Sequence, residues 1–161
     1  AIIREDTYVP ARMNLATLLS RRGRNREAEK LLREAIRYQP TWGQVHYSLG
    51  LLLAEDRSRL PEATRALVKA STYSPDNPRI FNNLAIAYWQ LGEVEPSVSS
   101  FVRAINLDSA NPEYLQNLVQ LLMQNKRWRE ALPYAQKMAS LMPDNPQVHM
   151  LIQQIKTSVT P

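Results

Sequence analysis

Apolar residues follow one another along this chain at the spacing of amphipathic helices. Leu15, Leu18 and Leu19 form one such group, and Leu31 and Ala35 belong to the next. Residues three or four positions apart share one face of an α-helix, so each group predicts a helix with one buried side. The polar segments between the groups are short. The pattern therefore predicts pairs of helices joined by turns along the chain.

Glycine and proline mark the ends of the predicted helices. Gly23 and Gly92 follow first helices of a pair, where a residue with left-handed backbone conformation is common. Pro61 and Pro96 fall in the first turns of second helices, where a missing amide hydrogen costs little. Pro133 lies beyond the first turn of its helix, so we expect it to kink that helix or to delay its start.

The helical pattern recurs at a fixed interval. One series steps by 34, 35, 34 and 34 residues, and its members are Leu15, Leu49, Leu84, Leu118 and Ile152. A second series steps by 35, 34 and 34 residues, and its members are Ala28, Ala63, Ser97 and Ala131. Both series place the one extra residue between Leu49 and Ala63, which predicts an enlarged turn at residues 56–60.

A period near 34 residues made of two helices resembles the tetratricopeptide repeat. The third unit matches that pattern best, with Phe81, Leu84, Ala85, Tyr88, Gly92, Phe101 and Ala104. Small residues such as Ala16, Gly50 and Ala85 let two helices approach closely, whereas Val119 and Ala135 depart from the pattern. The resemblance implies an all-α fold, a right-handed superhelical solenoid in which each repeat packs on its neighbours.

The register of the repeats predicts how the chain is divided. Residues 1–8 form the tail of an upstream repeat, and residues 146–161 form a C-terminal capping helix. Between them lie four repeats, at residues 9–42, 43–77, 78–111 and 112–145. Ala1-Ile2 occupies the place of Ala35-Ile36, so we expect the parent protein to continue N-terminally. The open N-terminal repeat face is also available for self-association.

The resemblance implies that first helices line a concave groove that holds a peptide or protein segment. One position there, the asparagine ladder, is occupied by Asn14, Ser48, Asn83 and Asn117. An Asn amide both donates and accepts hydrogen bonds, so such a ladder can hold a peptide main chain. We expect that replacing Asn83 and Asn117 with Ala weakens partner binding and leaves the melting temperature unchanged.

Further side chains are expected to line the same groove. They are Met13, Thr17, Gln44, Tyr47, Leu51, Arg79, Asn82, Ile86, Gln90, Glu113, Gln116, Gln120 and Gln124. Tyr47, Leu51 and Ile86 either form an apolar anchor amid polar neighbours or are partly buried between adjacent helices. Met13 and Thr17 stand where chaperone-binding relatives carry a Lys and an Asn that clamp a terminal carboxylate. The sequence therefore does not favour a chaperone-tail adaptor.

Charge adds an alternative function. The net charge is +5, and residues 1–42 hold nine Lys/Arg against five Asp/Glu. A basic turn formed by Arg21, Arg22, Arg24 and Arg26 could contact phosphates or another polyanion. The same arginines also suit a helix C-terminus and a solvated loop, and aromatic side chains that could stack on bases are missing nearby. Nucleic acid is not the expected partner. A structural or self-association spacer is a third alternative.

No catalytic, cofactor or metal site is expected from the sequence. The chain contains no cysteine, and it contains no HExxH motif or phosphate-binding glycine loop. Its two histidines, His46 and His149, occupy the same packing position three repeats apart, so they cannot share a metal or a substrate. The longest apolar runs are too short to span a membrane. We expect a soluble, non-enzymatic scaffold, cytoplasmic or periplasmic, whose compartment the sequence leaves open.

Overall fold

The computed structural model describes residues 8–159, and within them it contains nine α-helices and no strand. The helices are α1 Tyr8–Arg21, α2 Asn25–Tyr38, α3 Gly43–Ala54, α4 Leu60–Tyr73, α5 Pro78–Gln90, α6 Val94–Leu107, α7 Pro112–Gln124, α8 Trp128–Leu141 and α9 Pro146–Val159. Each odd-numbered helix packs on the next even-numbered one, and each even-numbered helix packs on the following odd-numbered one. This arrangement confirms the predicted all-α solenoid. The tail assigned to residues 1–8 lies outside the described residues except for Tyr8, and the repeat boundaries stay predictions.

The enlarged turn of the second repeat lies where the shift in period predicts it. A short 3-10 helix, Arg57–Arg59, separates α3 from α4. Asp56 caps it, because its Oδ1 atom accepts hydrogen bonds from the backbone N–H of Ser58 at 2.9 Å and from the Ser58 hydroxyl at 2.7 Å. The extra residue is thus absorbed in the turn, and the two helices on either side keep their register.

Helix pairs approach closely where one side chain is small. Gly50 is buried, and a Cβ atom added to it would lie 2.7 Å from Cγ of Leu67 on α4. In the fourth repeat the sizes are exchanged, because Val119 replaces the small residue of α7 and Ala135 replaces the large residue of α8. Both are buried in the same apolar cluster. The two departures from the repeat pattern therefore compensate each other in volume.

Pro133 lies within α8 and does not delay the start of that helix. The helix begins at Trp128 and runs through Pro133 to Leu141, so the expectation of a delayed start is wrong. Proline removes the hydrogen bond that its own nitrogen would donate to the carbonyl of Arg129, and its ring crowds that carbonyl. Both residues are exposed, so water can reach that carbonyl. The missing hydrogen bond is therefore tolerated within a continuous helix.

The turns after α1 and α5 have the predicted left-handed glycines, Gly23 with φ of 73° and Gly92 with φ of 78°. The equivalent place after α7 is occupied by Lys126, whose φ is 58°. A residue with a Cβ atom is strained by about 1–2 kcal/mol in this conformation.

Replacing Lys126 with Gly is therefore expected to stabilise the protein. The gain in the free energy of unfolding should be about 0.5–1 kcal/mol, because the added entropy of glycine in the unfolded chain offsets part of the relieved strain. Urea denaturation followed by circular dichroism measures it. Gly92→Ala is the matched control and should lose a similar amount. A Lys126→Gly variant less stable than the parent would contradict the strain argument.

Across residues 8–159, buried apolar side chains form three clusters rather than one. The largest joins α5 to α9 and includes Phe101, Leu118 and Ile155. A second joins α1 to α4 and includes Leu19, Leu32 and Leu53. A small third cluster lies at the junction of the second and third repeats, around Tyr47, Leu67, Ile80 and Leu84. Each repeat is therefore held mainly by its immediate neighbours, as in other repeat proteins.

Candidate protein-interaction groove

The first helices of successive repeats lie close together. α1 contacts α3, and α3 contacts α5, whereas the main neighbours of each second helix are the first helices on either side of it. In a curved array the elements on the inner side are the more closely spaced. α5 also contacts α7 through the Trp89–Gln124 and Asn82–Asn117 hydrogen bonds. This spacing places α1, α3, α5 and α7 on the inner side of the array, called the inner wall below, and these helices carry the predicted groove residues.

Two members of the asparagine ladder hold neighbouring repeats together. The Nδ2 atom of Asn83 donates to the hydroxyl of Tyr47 at 2.9 Å and to the backbone carbonyl of Arg79 at 2.9 Å. The Nδ2 atom of Asn117 donates to Oδ1 of Asn82 at 3.1 Å. Each side chain thus bridges to the preceding repeat, so the expectation of an unchanged melting temperature on their replacement with Ala does not fit these contacts. Asn14 is exposed and Ser48 is half-buried.

Tyr47 and Asn82 are buried, which contradicts the expectation that Asn82 lines an open groove and excludes the apolar-anchor alternative for Tyr47. The next repeat covers them, since Asn83 contacts Tyr47 and Asn117 contacts Asn82. Burial raises the pKa of the Tyr47 hydroxyl, and the nearby guanidinium of Arg79 and amide of Asn83 act in the opposite direction. Of the two alternatives for Tyr47, partial burial between helices is the one observed.

The other predicted groove residues differ in exposure. Met13, Gln44 and Ile86 are half-buried, and Met13 and Ile86 pack against apolar clusters. The exposed side chains are Asn14, Thr17, Leu51, Arg79, Gln90, Glu113, Gln116, Gln120 and Gln124. Thr17, Ser48 and Leu51 line a depression of about 230 Å³ between α1 and α3. Gln124 also accepts a hydrogen bond from the indole N–H of Trp89 at 3.1 Å.

Part of the basic turn has a structural use. Arg24 immediately precedes α2 and pairs with Glu27 in its first turn at 2.6 Å. The same Arg-x-x-Glu pair begins two other second helices, as Arg59 with Glu62 and as Arg127 with Glu130. This repeated spacing is readable from the sequence and was missed by the polyanion interpretation. Arg21, Arg22 and Arg26 are exposed, and they lie at the end of α1, in the following turn and at the start of α2.

A network of four charged side chains joins the first two repeats. Arg59 donates to Glu29 at 2.6 and 2.9 Å and to Glu62 at 2.6 Å. Arg33 also contacts both Glu29 and Glu62. The hydrogen bonds from Arg59, with those from Arg33, lower the pKa of Glu29 from 4.5 to about 2. Glu29 is thus held in its charged form by the neighbouring repeat.

This network predicts an acid-sensitive contribution to stability. Because the folded pKa of Glu29 is depressed, its contribution is present above about pH 4.5 and is lost as the pH falls toward about 2. Glu29→Gln should lower the free energy of unfolding by about 1–2 kcal/mol at neutral pH, after screening by solvent is allowed for. Urea midpoints of both proteins across this pH range should converge toward acid. A difference that stays constant with pH would contradict the assignment.

The two histidines make the same backbone contact, but only His46 is buried, as a packing position predicts, whereas His149 is exposed. His46 Nε2 lies 2.7 Å from the backbone carbonyl of Pro40, and His149 Nε2 lies 2.7 Å from that of Pro143. His46 is also buried against the ring of Tyr73. Between residues 8 and 159, no three His, Cys, Asp or Glu side chains are grouped closely enough to hold a metal ion. In the same range, no helix is both long and apolar enough to cross a bilayer.

Three family models match parts of the chain between residues 11 and 111. They are described as "Tetratricopeptide repeat" at residues 11–38, "TPR repeat" at residues 56–92 and "Tetratricopeptide repeat" at residues 78–111. The chain belongs to the tetratricopeptide repeat family. This fold is typically a non-catalytic scaffold for protein partners, which supports a general role in protein interaction.

Known proteins agree with this family. The human protein O-mannosyl-transferase TMTC3 is 32% identical over 127 residues, which are 78% of this chain and 14% of the human protein. The chain therefore spans a small part of that relative. Among solved structures, MamA is 15% identical, with a TM-score of 0.82 over 93% of this chain and 81% of that one. YrrB, titled a TPR protein with an unusual peptide-binding site, is 18% identical, with a TM-score of 0.77 over 92% of this chain and 78% of that one.

Proposed function

We propose that the inner wall binds an extended segment of a partner protein through the amide side chains of α5 and α7. The observation that carries this proposal is a stripe of exposed glutamines on α7. Gln116, Gln120 and Gln124 are four residues apart, so they share one face of the helix. The amides of Gln116 and Gln120 each offer a donor and an acceptor, which matches the alternating N–H and C=O groups of a peptide main chain, and Gln124, whose oxygen accepts from Trp89, offers its amide N–H groups.

The asparagines beside this stripe are held in fixed positions. Asn83 and Asn117 use their amide N–H groups to bridge repeats, and within residues 8–159 their Oδ1 atoms have no hydrogen-bond partner. An acceptor that is already immobilised loses little conformational entropy when a ligand binds. These oxygens therefore supplement the glutamine stripe as acceptors for a partner's N–H groups.

The near absence of charge among the proposed groove residues disfavours a highly charged partner. Glu113 at its start is the one acidic groove residue, Arg79 is the one basic groove residue, and the remaining proposed contacts are uncharged. Affinity should therefore depend weakly on salt. YrrB, which has a similar fold and is titled as having a peptide-binding site, supports the same class of ligand at the level of the fold.

The experiment compares photocrosslinking from the two sides of the array. The photoreactive residue benzoylphenylalanine replaces Gln120 on α7 in one variant. In a matched control it replaces the exposed Arg65 on α4. Each variant is irradiated in an extract of the cells that naturally contain the protein. We expect discrete crosslinked partners from position 120 only. Position 65 lies on a second helix, away from the inner wall, and should give none of these products. Crosslinks of equal yield to the same partners from position 65 would contradict the proposal.

The captured partner then allows affinity to be measured. Gln116→Ala combined with Gln120→Ala should weaken binding about ten-fold, because two hydrogen bonds of about 0.5–1.5 kcal/mol each are lost. The melting temperature should stay unchanged, since both side chains are exposed. Raising salt from about 0.1 M to about 1 M shortens the Debye length from about 10 Å to about 3 Å and should change the affinity little. A steep loss of binding in salt would favour a polyanion or charged partner instead.

A further inference from the structure

A row of cations follows the outer side of α2. Its members are spaced by four, three and four positions, so they share one face of the helix. They are the exposed residues Arg26, Lys30, Arg33 and Arg37. At a rise of about 1.5 Å per residue the row is about 16 Å long. Two further cations, Arg65 and Lys69, are exposed one turn apart on α4.

The two helices border a depression with an apolar floor. α2 and α4 both pack on α3, and a space of about 250 Å³ lies between them. The buried Leu49 and Leu53 and the half-buried Ile36 line it from below. Charged side chains stand at its rim, and they are Arg33, Glu62, Arg65 and Lys69. We call this depression the outer crevice.

The carboxylates on this side of the molecule already have partners. Glu29 and Glu62 belong to the network of four charged side chains described above, and Oε2 of Glu34 lies 4.0 Å from Nε of Arg12. Within residues 8–159, most cations of this face have neither a hydrogen bond nor an ion pair. They are Arg26, Lys30, Arg37, Arg65 and Lys69. Because an ionised donor binds a carboxylate more strongly than a neutral acceptor, this unneutralised charge favours an acidic ligand.

The corresponding place between α4 and α6 is built differently. Phe81 stands there in the position of His46, and Arg103 stands in the position of Lys69. Arg103 is already engaged, because its guanidinium lies 5.6 Å from the centroid of the Phe81 ring and its Nη2 atom donates to the carbonyl of Pro75 at 3.3 Å. The outer crevice with its free cations is therefore specific to the first two repeats and does not follow from the fold alone.

We propose that the row on α2 and the outer crevice bind an acidic segment of a partner protein, with carboxylates on the row and an apolar side chain in the crevice. Three of the four members of the row are arginines, whose guanidinium groups bind a carboxylate through two parallel hydrogen bonds. About six extended residues span the row, so a short linear segment is sufficient. The site lies on second helices, away from the inner wall, and it goes beyond the function proposed above.

Nucleic acid fits this surface less well. A nucleic-acid strand carries an uninterrupted series of phosphates, whereas Glu29, Glu34 and Glu62 lie among the cations and would repel some of them. A protein segment can place its carboxylates between these glutamates. The apolar floor of the outer crevice can also bury a leucine side chain, which a phosphate backbone does not offer.

Fluorescence anisotropy with a labelled peptide of two Glu-Glu-Leu-Glu units tests the proposal. We expect saturable binding that weakens steeply when salt is raised from about 0.1 M to about 1 M. The same peptide with Gln in place of every Glu should bind at least about ten-fold more weakly, because its charge is lost. The peptide with Ala in place of Leu should bind about three-fold more weakly. Equal binding of the alanine peptide would show a contact by charge alone and would overturn the proposal.

Arg65→Gln combined with Lys69→Gln assigns the binding to the outer crevice. This variant should bind the acidic peptide about ten-fold more weakly, with an unchanged melting temperature because both side chains are exposed and unpaired. The matched control is Arg21→Gln combined with Arg22→Gln, which removes the same charge from the basic turn and should change the affinity less than about two-fold. Equal losses in the two variants would overturn the proposal. An oligonucleotide of the same charge that binds more tightly than the peptide would also overturn it.

The outer crevice and the inner wall are tested separately. Gln116→Ala combined with Gln120→Ala should leave the affinity for the acidic peptide unchanged, and a loss in this variant would place the peptide on the inner wall and overturn the proposal. The crosslinking control at position 65 lacks the Arg65 guanidinium, so binding at the outer crevice is weakened in that variant.

Discussion

Phe101→Ala is expected to lower the free energy of unfolding by about 3–5 kcal/mol, the usual cost of removing a buried aromatic ring. Phe101 is fully buried in the largest apolar cluster. Its ring meets the indole of Trp89 edge-on, with centroids 6.4 Å apart. α6 cannot move inward to fill the cavity without disturbing both α5 and α7, which pack on either side of it. Urea denaturation monitored by circular dichroism and tryptophan fluorescence measures the loss.

The second phenylalanine of the chain provides the control for this prediction. Phe81 is half-buried at the edge of the same cluster, and the guanidinium of Arg103 lies 5.6 Å from its ring centroid. Because part of the ring already faces solvent, Phe81→Ala should cost about 1–2 kcal/mol. Equal losses at the two positions would mean that the cluster is not organised around Phe101.

Gly50→Ala is expected to destabilise the protein by about 1–3 kcal/mol through overpacking. In an ordinary helix the same change stabilises by about 1 kcal/mol, because glycine is a poor helix former. Here the new methyl group would lie 2.7 Å from Cγ and 2.8 Å from Cδ2 of Leu67, with the carbonyl of Ala63 at 3.3 Å. The clash therefore exceeds the gain in helix propensity. Thermal and urea unfolding both report the outcome.

A double-mutant cycle shows whether the contact with Leu67 is the cause. In a Leu67→Ala background the obstructing side chain is gone, so Gly50→Ala should become neutral or stabilising. This reversal of sign is the expected result for two residues in direct contact. An equal loss in both backgrounds would show that the backbone, rather than Leu67, limits the space at Gly50.

The sequence predicts the fold because its information is repeated. The leucine series and the paired small and large residues predict which helices pack together in each repeat. The single 35-residue step in the leucine series predicts the position of the 3-10 turn. Individual departures are harder to judge from the sequence. Val119 and Ala135 look like two defects until the structure shows that they share a cluster. Pro133 looks disruptive because the sequence does not show that the carbonyl it leaves unpaired is on an exposed surface.

The groove is predicted less completely than the fold. Helical spacing assigns Tyr47 and Asn82 to the inner face, but it does not show how far the next repeat covers them. The burial of Tyr47 and Asn82 depends on Asn83 and Asn117, whose amides donate hydrogen bonds to the preceding repeat. The role of Arg24 was accessible, since the Arg-x-x-Glu spacing recurs in the sequence. Net charge alone does not reveal that pairing.

The division of the apolar interior into three clusters affects how the protein comes apart. Because each repeat is held by its neighbours, the outer pairs can open while the rest stays folded. α1 and α2 belong to the smaller cluster at the N-terminal end, whereas α7 lies within the largest. Local fraying at the N-terminus therefore leaves the glutamine-bearing surface of α7 intact. A bound partner segment would rest on the part of the array that exchanges its amide hydrogens most slowly.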